Sequence, residues 1–364
     1  MESLFIVSTE SFSGKTALAA GLMTHLRRGD LDPGYMKPVS GSPRAVGSEL
    51  LDLDARFIKK AFDLEPALED LVPVRLTDSV LERALERRRS GDARAGDDML
   101  GKITSAYDDL SSRSAFLLLE GAGTLAEGAL LGVSGPRIAE ALDVPTLVVT
   151  RYRDRLTGDD LLQASRVLGG RMVGGVVNAV PEHQVALFRE RIVPLLEARD
   201  IPVLGVIPRR GRLGGATVGE MADQVRGQFL VGEEHGDALV ETLCIGAMSI
   251  DDVLAHFRRK RNKAVIVEGA RSNIQLAALE TSTRCLILTG NLHPKPAILT
   301  RAEVRGVPVV LSALSTVETV EAINESFGRT RFHQEAKRRL FQDILEASFD
   351  FDRLYQSLGW KSRS

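Results

Sequence analysis

The sequence predicts an α/β protein: a parallel sheet covered by helices on both faces, followed by a second, smaller α/β domain. Three observations predict it. Short, mainly apolar runs at 4–7, 34–39, 115–119, 146–150, 173–177 and 202–207 alternate with helical stretches. Runs without polar alternation are strands buried on both faces, as parallel sheets require. A charged, glycine-rich stretch near Arg209 then interrupts the pattern, after which the alternation restarts. At 364 residues, two domains are the expectation. The boundaries read as a first domain over 1–210, a linker over 211–220, a second domain over 221–330, and a C-terminal helix and tail over 331–364.

The first turn organises the rest. Leu4 to Val7 reads as a buried strand, and Thr16 to Arg28 as a helix with Ala17, Leu18, Leu22 and Leu26 on one face. Between them stand Ser8, Thr9, Glu10, Ser11, Phe12, Ser13, Gly14 and Lys15. A strand, a tight loop ending in Gly-Lys-Thr and a helix form the layout of a phosphate-binding loop. Backbone amides and the helix N-terminus face the anion, Lys15 reaches the β- and γ-phosphates, and the Thr16 hydroxyl holds Mg²⁺. The match to G-x-x-x-x-G-K-[ST] is imperfect, because Thr9 stands where the first glycine belongs. The competing reading is a polar strand-to-helix turn with no ligand.

Gly34 to Val39 reads as the second strand, which puts Lys37 at the strand end where open parallel sheets bind ligands. An ordinary exposed lysine is the alternative. Residues 43 to 114 are rich in charge and read as inserted helices over Asp54–Phe62, Asp78–Arg89 and Asp98–Leu110. Asp52 and Asp54 open the first of these, where carboxylates favour the helix dipole or face a metal. Ala115 to Leu119 is the next strand. Glu120-Gly121-Ala122-Gly123 closes it in the pattern of a Mg²⁺-binding strand end. Helices over Asp159–Leu168 and Glu182–Ala198 separate the later strands. Asn178 ends the fifth strand, either offering a donor and an acceptor to a base edge or making a common turn.

In the second half, strands over Thr242–Met248, Ala264–Val267, Leu286–Leu288 and Val309–Leu311 alternate with helices over Ile250–Arg259, Ile274–Leu279, Ala297–Val304 and Val317–Ser326. The strand ends carry Glu268-Gly269-Ala270-Arg271, Thr289-Gly290-Asn291 and Ser312 to Thr316. These loops line any pocket in this domain, or are short turns with helix caps such as Ser315. Arg331 to Trp360 reads as amphipathic helix, and Lys361 to Ser364 as a frayed tail.

Composition narrows the partners. A net charge of −2 gives no reason to expect nucleic acid or an anionic membrane. Cys244 and Cys285 sit inside apolar runs and read as small core residues of a reducing compartment, with no metal spacing. No basic leader and no apolar run near the roughly 18 residues of a membrane span is present, so the expectation is a soluble, cytoplasmic chain.

The first-domain motifs, Ser8 to Thr16, Tyr35-Met36-Lys37-Pro38-Val39-Ser40-Gly41-Ser42 and Glu120 to Gly123, together resemble dethiobiotin synthetase. That family is an ATP-dependent carboxylase with a P-loop NTPase-type sheet. Its loop opens with Gly-Thr-Asp-Thr, whereas Ser8 and Glu10 stand here for the Gly and the Asp. From about residue 215 the chain resembles a DRTGG domain, with degenerate name-giving motifs at Ala270-Arg271 and Thr289-Gly290-Asn291 and the closest match over Asn273–Leu279. The two domains in this order are similar to the N-terminal regulatory half of long phosphotransacetylases. No acyltransferase domain follows within these residues, so no acetyltransferase activity is expected.

The resemblance implies ATP and Mg²⁺ as cofactors. Lys15 and Thr16 map to phosphate and Mg²⁺ binding, Lys37 to contact with the γ-phosphate and the carbamate, and Asp54 and Glu120 to Mg²⁺ ligation. Asn178 maps to adenine recognition. Ser40-Gly41-Ser42 is one residue shorter than the synthetase's Ala-Ser-Gly-Ser, at its amine-substrate contact. The resemblance also implies a homodimer or higher homo-oligomer. Three functions follow: an ATP·Mg²⁺-binding regulatory protein whose second domain senses a small-molecule effector, an ATP-dependent ligase or carboxylase, or a scaffold with an empty loop. The first is the leading expectation.

Overall fold

The computed structural model describes residues 2–41, 43–46, 49–89, 95–210, 215–246, 250–326 and 335–360. It divides into two compact units, residues 1–209 with 331–364, and residues 210–330.

The first unit is built on a six-stranded parallel sheet: β1 (Glu2–Ser8), β2 (Pro33–Met36), β3 (Phe116–Glu120), β4 (Thr146–Arg151), β5 (Met172–Val180) and β6 (Val203–Pro208). The spatial order is β6-β5-β4-β1-β3-β2, every pair parallel. After β1 the chain moves to the β2 edge, returns to β3, then crosses β1 to add β4, β5 and β6. Right-handed crossovers moving in opposite directions place helices on both faces. The reversal falls beside β1, so the carboxyl end of β1 is the topological switch point where such sheets bind ligands. Leu4, Phe5, Ile6 and Val7 are buried, as are Phe116 to Leu119, which matches their lack of alternation.

α1 (Lys15–Arg28) leaves the end of β1. β2 is shorter than the apolar run suggested. Pro38 has no amide to continue the ladder, and the Lys37 amide instead donates to Leu71 O at 2.7 Å. Val39–Ser40 then pairs separately with Val74–Arg75. The region after it holds helices as expected, with α2 over Leu53–Ala61, α3 over Asp78–Arg89 and α4 over Ala95–Ser112. It also holds an unpredicted hairpin, Arg44–Val46 with Glu49–Leu51.

The C-terminal stretch is two helices, not one. α11 (Glu335–Ser348) packs on α1 and β6, and α12 (Phe351–Ser357) follows a break. The break is made by Asp350, whose amide donates to Leu204 O at 2.7 Å and whose carboxylate caps Arg353 N at 2.9 Å. Expectations for 331–334 and 361–364 lie outside the described residues.

The second unit has a five-stranded sheet ordered β7-β11-β10-β9-β8: β7 (Gln228–Val231), β8 (Thr242–Ile245), β9 (Lys263–Glu268), β10 (Thr283–Thr289) and β11 (Val309–Leu311). Four strands are parallel. β7, which the sequence did not reveal, runs antiparallel on the β11 edge. Alternate residues of β9 enter two cores: Val265 and Val267 on one face, Ala264 and Ile266 on the other. Helices α6 (Val218–Gln224), α7 (Ile250–Arg259), α8 (Ser272–Leu279), α9 (Pro296–Arg305) and α10 (Thr316–Ser326) complete it; α5 (Gly158–Leu168) belongs to the first unit. α6 starts inside the stretch read as linker, where Thr217 and Glu220 form a capping box. Residues 211–214 of that linker, and 247–249 at the end of the expected strand from Thr242, lie outside the described residues. Cys244 and Cys285 are free and buried, as expected.

Candidate functional site: a lysine cradle at the switch point

The loop from Thr9 to Gly14 joins β1 to α1. Gly14 has φ +102°, and a Cβ there would collide with the Asn178 side-chain amide, so both conformation and space call for glycine. Asn178 Nδ2 donates to Ser13 O at 2.8 Å, and Asn178 Oδ1 accepts from the Ala179 amide at 2.8 Å. The structure therefore places Asn178 against the loop, pinning it. Thr9 donates its hydroxyl to Thr150 Oγ1 at 3.0 Å, a use that a glycine could not serve. The Glu10 carboxylate accepts from the Arg151 amide at 3.1 Å. Ser11 and Phe12 are exposed at the loop's tip, and the Phe12 φ is 57°. Ser13 Oγ is buried and has no hydrogen-bond partner.

Lys15 is buried, and its ammonium donates to two neutral oxygens, Ser8 Oγ at 2.7 Å and Gly123 O at 2.9 Å. Burial lowers its pKa from 10.5 to about 8, and Glu120 only partly opposes the fall. A buried cation whose hydrogen bonds go to neutral oxygens has unspent capacity for an anion. One residue on, the Thr16 hydroxyl donates to Glu120 Oε1 at 2.7 Å. Buried Tyr35 donates to the other oxygen, Oε2, at 3.0 Å. Burial raises the Glu120 pKa against the pull of Lys37, and burial beside Glu120 pushes the Tyr35 phenol well up.

Lys37 is the opposite kind of lysine. Its ammonium lies 3.0 Å from Asp52 and 2.8 Å from Asp54, with Glu120 at 4.0 Å. Burial works against its charge, but Asp54, Glu120 and Asp52 outweigh that and hold its pKa well above the usual lysine range. Asp52 also accepts from Ser40 Oγ at 2.6 Å and caps α2 through the Ala55 amide at 2.9 Å.

Lys15, Thr16, Lys37, Asp54 and Glu120 thus converge at the carboxyl ends of β1, β2 and β3. Among the described residues, no group of three or more His, Cys, Asp or Glu side chains is arranged to hold a metal. The residues that could hold Mg²⁺ are the Thr16 hydroxyl and the Glu120 and Asp54 carboxylates, which here engage one another, Tyr35 and Lys37; so small a set would suit a cation that keeps few protein ligands. The orphaned Ser13 hydroxyl, the glycine-only cradle and the Lys15 ammonium on neutral partners fit a bound polyphosphate.

Sequence reasoning gave no site role to Ser8 or Tyr35 and passed over Glu127. Tyr35 stands two residues before Lys37, and period-two alternation could have put both on one side of the strand. Glu127 sits in an irregular loop and carries no periodic signal.

In the second unit, the strand-end loops are tied to each other. Gly290 N donates to Leu314 O at 2.8 Å and Asn291 N to Ser312 O at 3.0 Å, while Thr289 and Thr316 hydroxyls meet at 2.8 Å. Ser315 and Glu318 form the anticipated cap. Gln275, fully buried, donates to Glu268 O and Gly269 O.

These features define a P-loop α/β domain followed by a second sheet domain. Residues 2–217 match the AAA domain family and residues 220–326 the DRTGG domain. The first match covers more than half the chain, which therefore belongs to that family, in its dethiobiotin synthetase-like form, with a DRTGG domain following.

The chain is 26% identical over 373 residues to phosphate acetyltransferase of Nitratidesulfovibrio vulgaris, covering 97% of this chain and 51% of that protein. It is 27% identical over 229 residues to ATP-dependent dethiobiotin synthetase of Pseudomonas paraeruginosa, covering 61% of this chain and 96% of the synthetase. The chain thus spans about half the length of the phosphate acetyltransferases it matches. Among solved structures, the MinD cell division protein of Aquifex aeolicus aligns at 15% identity and a TM-score of 0.35, over 58% of this chain and 84% of MinD. The regulatory CBS and DRTGG domains of Clostridium perfringens pyrophosphatase, complexed with diadenosine tetraphosphate, align at 16% and 0.29, over 42% and 74%. Among the described residues, no helix is long and apolar enough to cross a membrane.

Proposed function

We propose that the chain binds ATP·Mg²⁺ in the cradle of residues 9–16 and acts as a nucleotide-dependent regulatory module, its DRTGG domain taking a small-molecule effector. The observation that carries this reading is the Lys15 ammonium, buried at the switch point with its hydrogen bonds going to the neutral oxygens Ser8 Oγ and Gly123 O. The lysines and acids make the role of the metal concrete. Lys15 and Lys37 face Asp52, Asp54, Glu120 and Glu127, so acids outnumber bases around a cradle meant for an anion. A triphosphate enters favourably only with its cation, which supplies charge neutralisation when bound. Lys15 then binds the phosphates, Thr16 and Glu120 orient the metal side, and Asn178 holds the loop. The resemblance also supports a cytoplasmic homo-oligomer.

Calorimetric titration with ATP, with and without Mg²⁺, tests the proposal. The expected result is saturable binding that needs Mg²⁺ and disappears in Lys15→Ala. A second reading, an ATP-dependent ligase or carboxylase, is favoured by Lys37, Asp54 and Glu120 standing together beside the cradle. Phosphate release that depends on an added amine or carboxylate substrate would establish it and displace the purely regulatory role.

A further inference from the structure

Three loops meet at one carboxylate, that of Glu127, which so far has counted only as a charge near Lys15. Glu127 lies in the irregular segment after β3, whose Leu125 amide donates to Ser8 O at 2.8 Å and so ties the segment to the end of β1. Its side chain reaches back over the turns. A Cβ on Gly41 would collide with Glu127 Oε1. A Cβ on Gly123 would collide with Oε2 and come within 2.8 Å of Ser11 Oγ. The carboxylate therefore sits where the phosphate loop, the turn beyond Lys37 and the turn beyond Glu120 converge. It stands beside Gly123, whose carbonyl holds Lys15 Nζ at 2.9 Å.

The other acids of the site are committed. Asp52 and Asp54 hold Lys37, and Glu120 takes the hydroxyls of Thr16 and Tyr35. Glu127 accepts one long hydrogen bond, from the Thr124 amide at 3.3 Å. It is partly exposed and keeps lone pairs free, as a proton acceptor must. Its position against the Cα atoms of Gly41 and Gly123 also fills the Ser40–Gly41 turn, where the resemblance puts an amine substrate.

We propose that Glu127 is the general base of a water-accepting reaction, so that this chain hydrolyses ATP rather than ligating two substrates. The inference rests on the proposal that the cradle binds ATP·Mg²⁺. The water oxygen forms a bond to the γ-phosphorus as the bond from that phosphorus to the β,γ-bridging oxygen breaks. The electron pair leaves with ADP, and the water proton passes to the Glu127 carboxylate, from which it returns to solvent.

The test measures ATP·Mg²⁺ binding and single-turnover phosphate release separately, in the wild type, E127Q and E127A. Wild type is expected to release phosphate with no second substrate. E127Q is expected to bind ATP as tightly or more tightly, since a negative charge has gone, at an unchanged Mg²⁺ requirement, and to lose about 100-fold or more of the rate. Added formate is expected to restore part of the rate in E127A, which a structural role would not allow. Both variants are checked for wild-type melting first; if either is unstable, E127D, which keeps the carboxylate, replaces it and is expected to retain an intermediate rate. Binding without hydrolysis in the wild type, a wild-type rate in E127Q, or a raised Mg²⁺ requirement with normal turnover at saturating metal would each overturn the assignment to Glu127. Absence of binding in the wild type would instead overturn the nucleotide reading beneath it.

Discussion

Replacing Lys15 with methionine should make the nucleotide-free protein more stable while abolishing nucleotide binding. The ammonium's pKa falls from 10.5 to about 8 through burial. Below pH 8 this corresponds to about 3 kcal/mol spent on keeping the buried charge, at roughly 1.4 kcal/mol per pH unit. Methionine keeps the apolar stem and loses the bonds to Ser8 Oγ and Gly123 O, each worth about 1 kcal/mol in net terms at most. The balance is a gain of about 1–2 kcal/mol, or roughly 2–8 °C in the melting temperature of a domain of this size class.

The sign with pH follows from the lowered pKa. The folded state sheds this proton near pH 8 and the unfolded chain only near 10.5, so the wild type gains stability across that window. The advantage of Lys15→Met therefore shrinks from pH 8 towards 10.5. Thermal and urea unfolding of both proteins at several pH values measures it. A variant several degrees less stable than wild type at pH 7 would refute the reasoning, because the lysine would then be a strut and not a charge held ready for an anion.

Three further outcomes follow from the same geometry. Lys37→Met removes the ammonium that neutralises Asp52 and Asp54 in a buried site and should cost about 3–5 kcal/mol in urea unfolding, unlike Lys15→Met; an unchanged midpoint would contradict the paired role. Gly14→Ala imposes φ +102° on an L residue and drives a methyl into Asn178, so it should lower stability by about 1–3 kcal/mol and remove nucleotide binding in calorimetry. Asn178→Ala frees the Ser13 carbonyl and should weaken ATP and GTP by a similar factor, on the order of tenfold; a loss confined to ATP would show instead that Asn178 reads the base.

Much of this architecture was legible because parallel strands are buried on both faces. Leu4–Val7 and Phe116–Leu119 therefore stand out as apolar runs. The loop was legible because only glycine suits the Gly14 conformation and because Lys15 and Thr16 follow it directly. The pairing of Lys37 with Asp52 and Asp54 was not, since it depends on how Pro38 ends β2 and turns the chain towards α2. β7 escaped notice because its apolar run is only Phe229 to Val231, set between Gln228 and Gly232, with no clear alternation around it. The break at Asp350 was hidden because the apolar stripe continues through Phe349 and Phe351, and only the contact with Leu204 interrupts the helix. Glu127 reaches the site across an irregular loop, and its convergence on Gly41, Gly123 and Ser11 exists only in three dimensions.

The account stands or falls on an anion meeting the ammonium of Lys15. Titration calorimetry with ATP·Mg²⁺ in buffers of differing ionisation enthalpy, at pH values on either side of 8, measures both the binding and the protons taken up. The predicted result is saturable binding that weakens above pH 8 and takes up close to one proton there, with neither effect in Lys15→Met. Binding that persists unchanged in the variant, or no binding by the wild type at millimolar nucleotide, would contradict it.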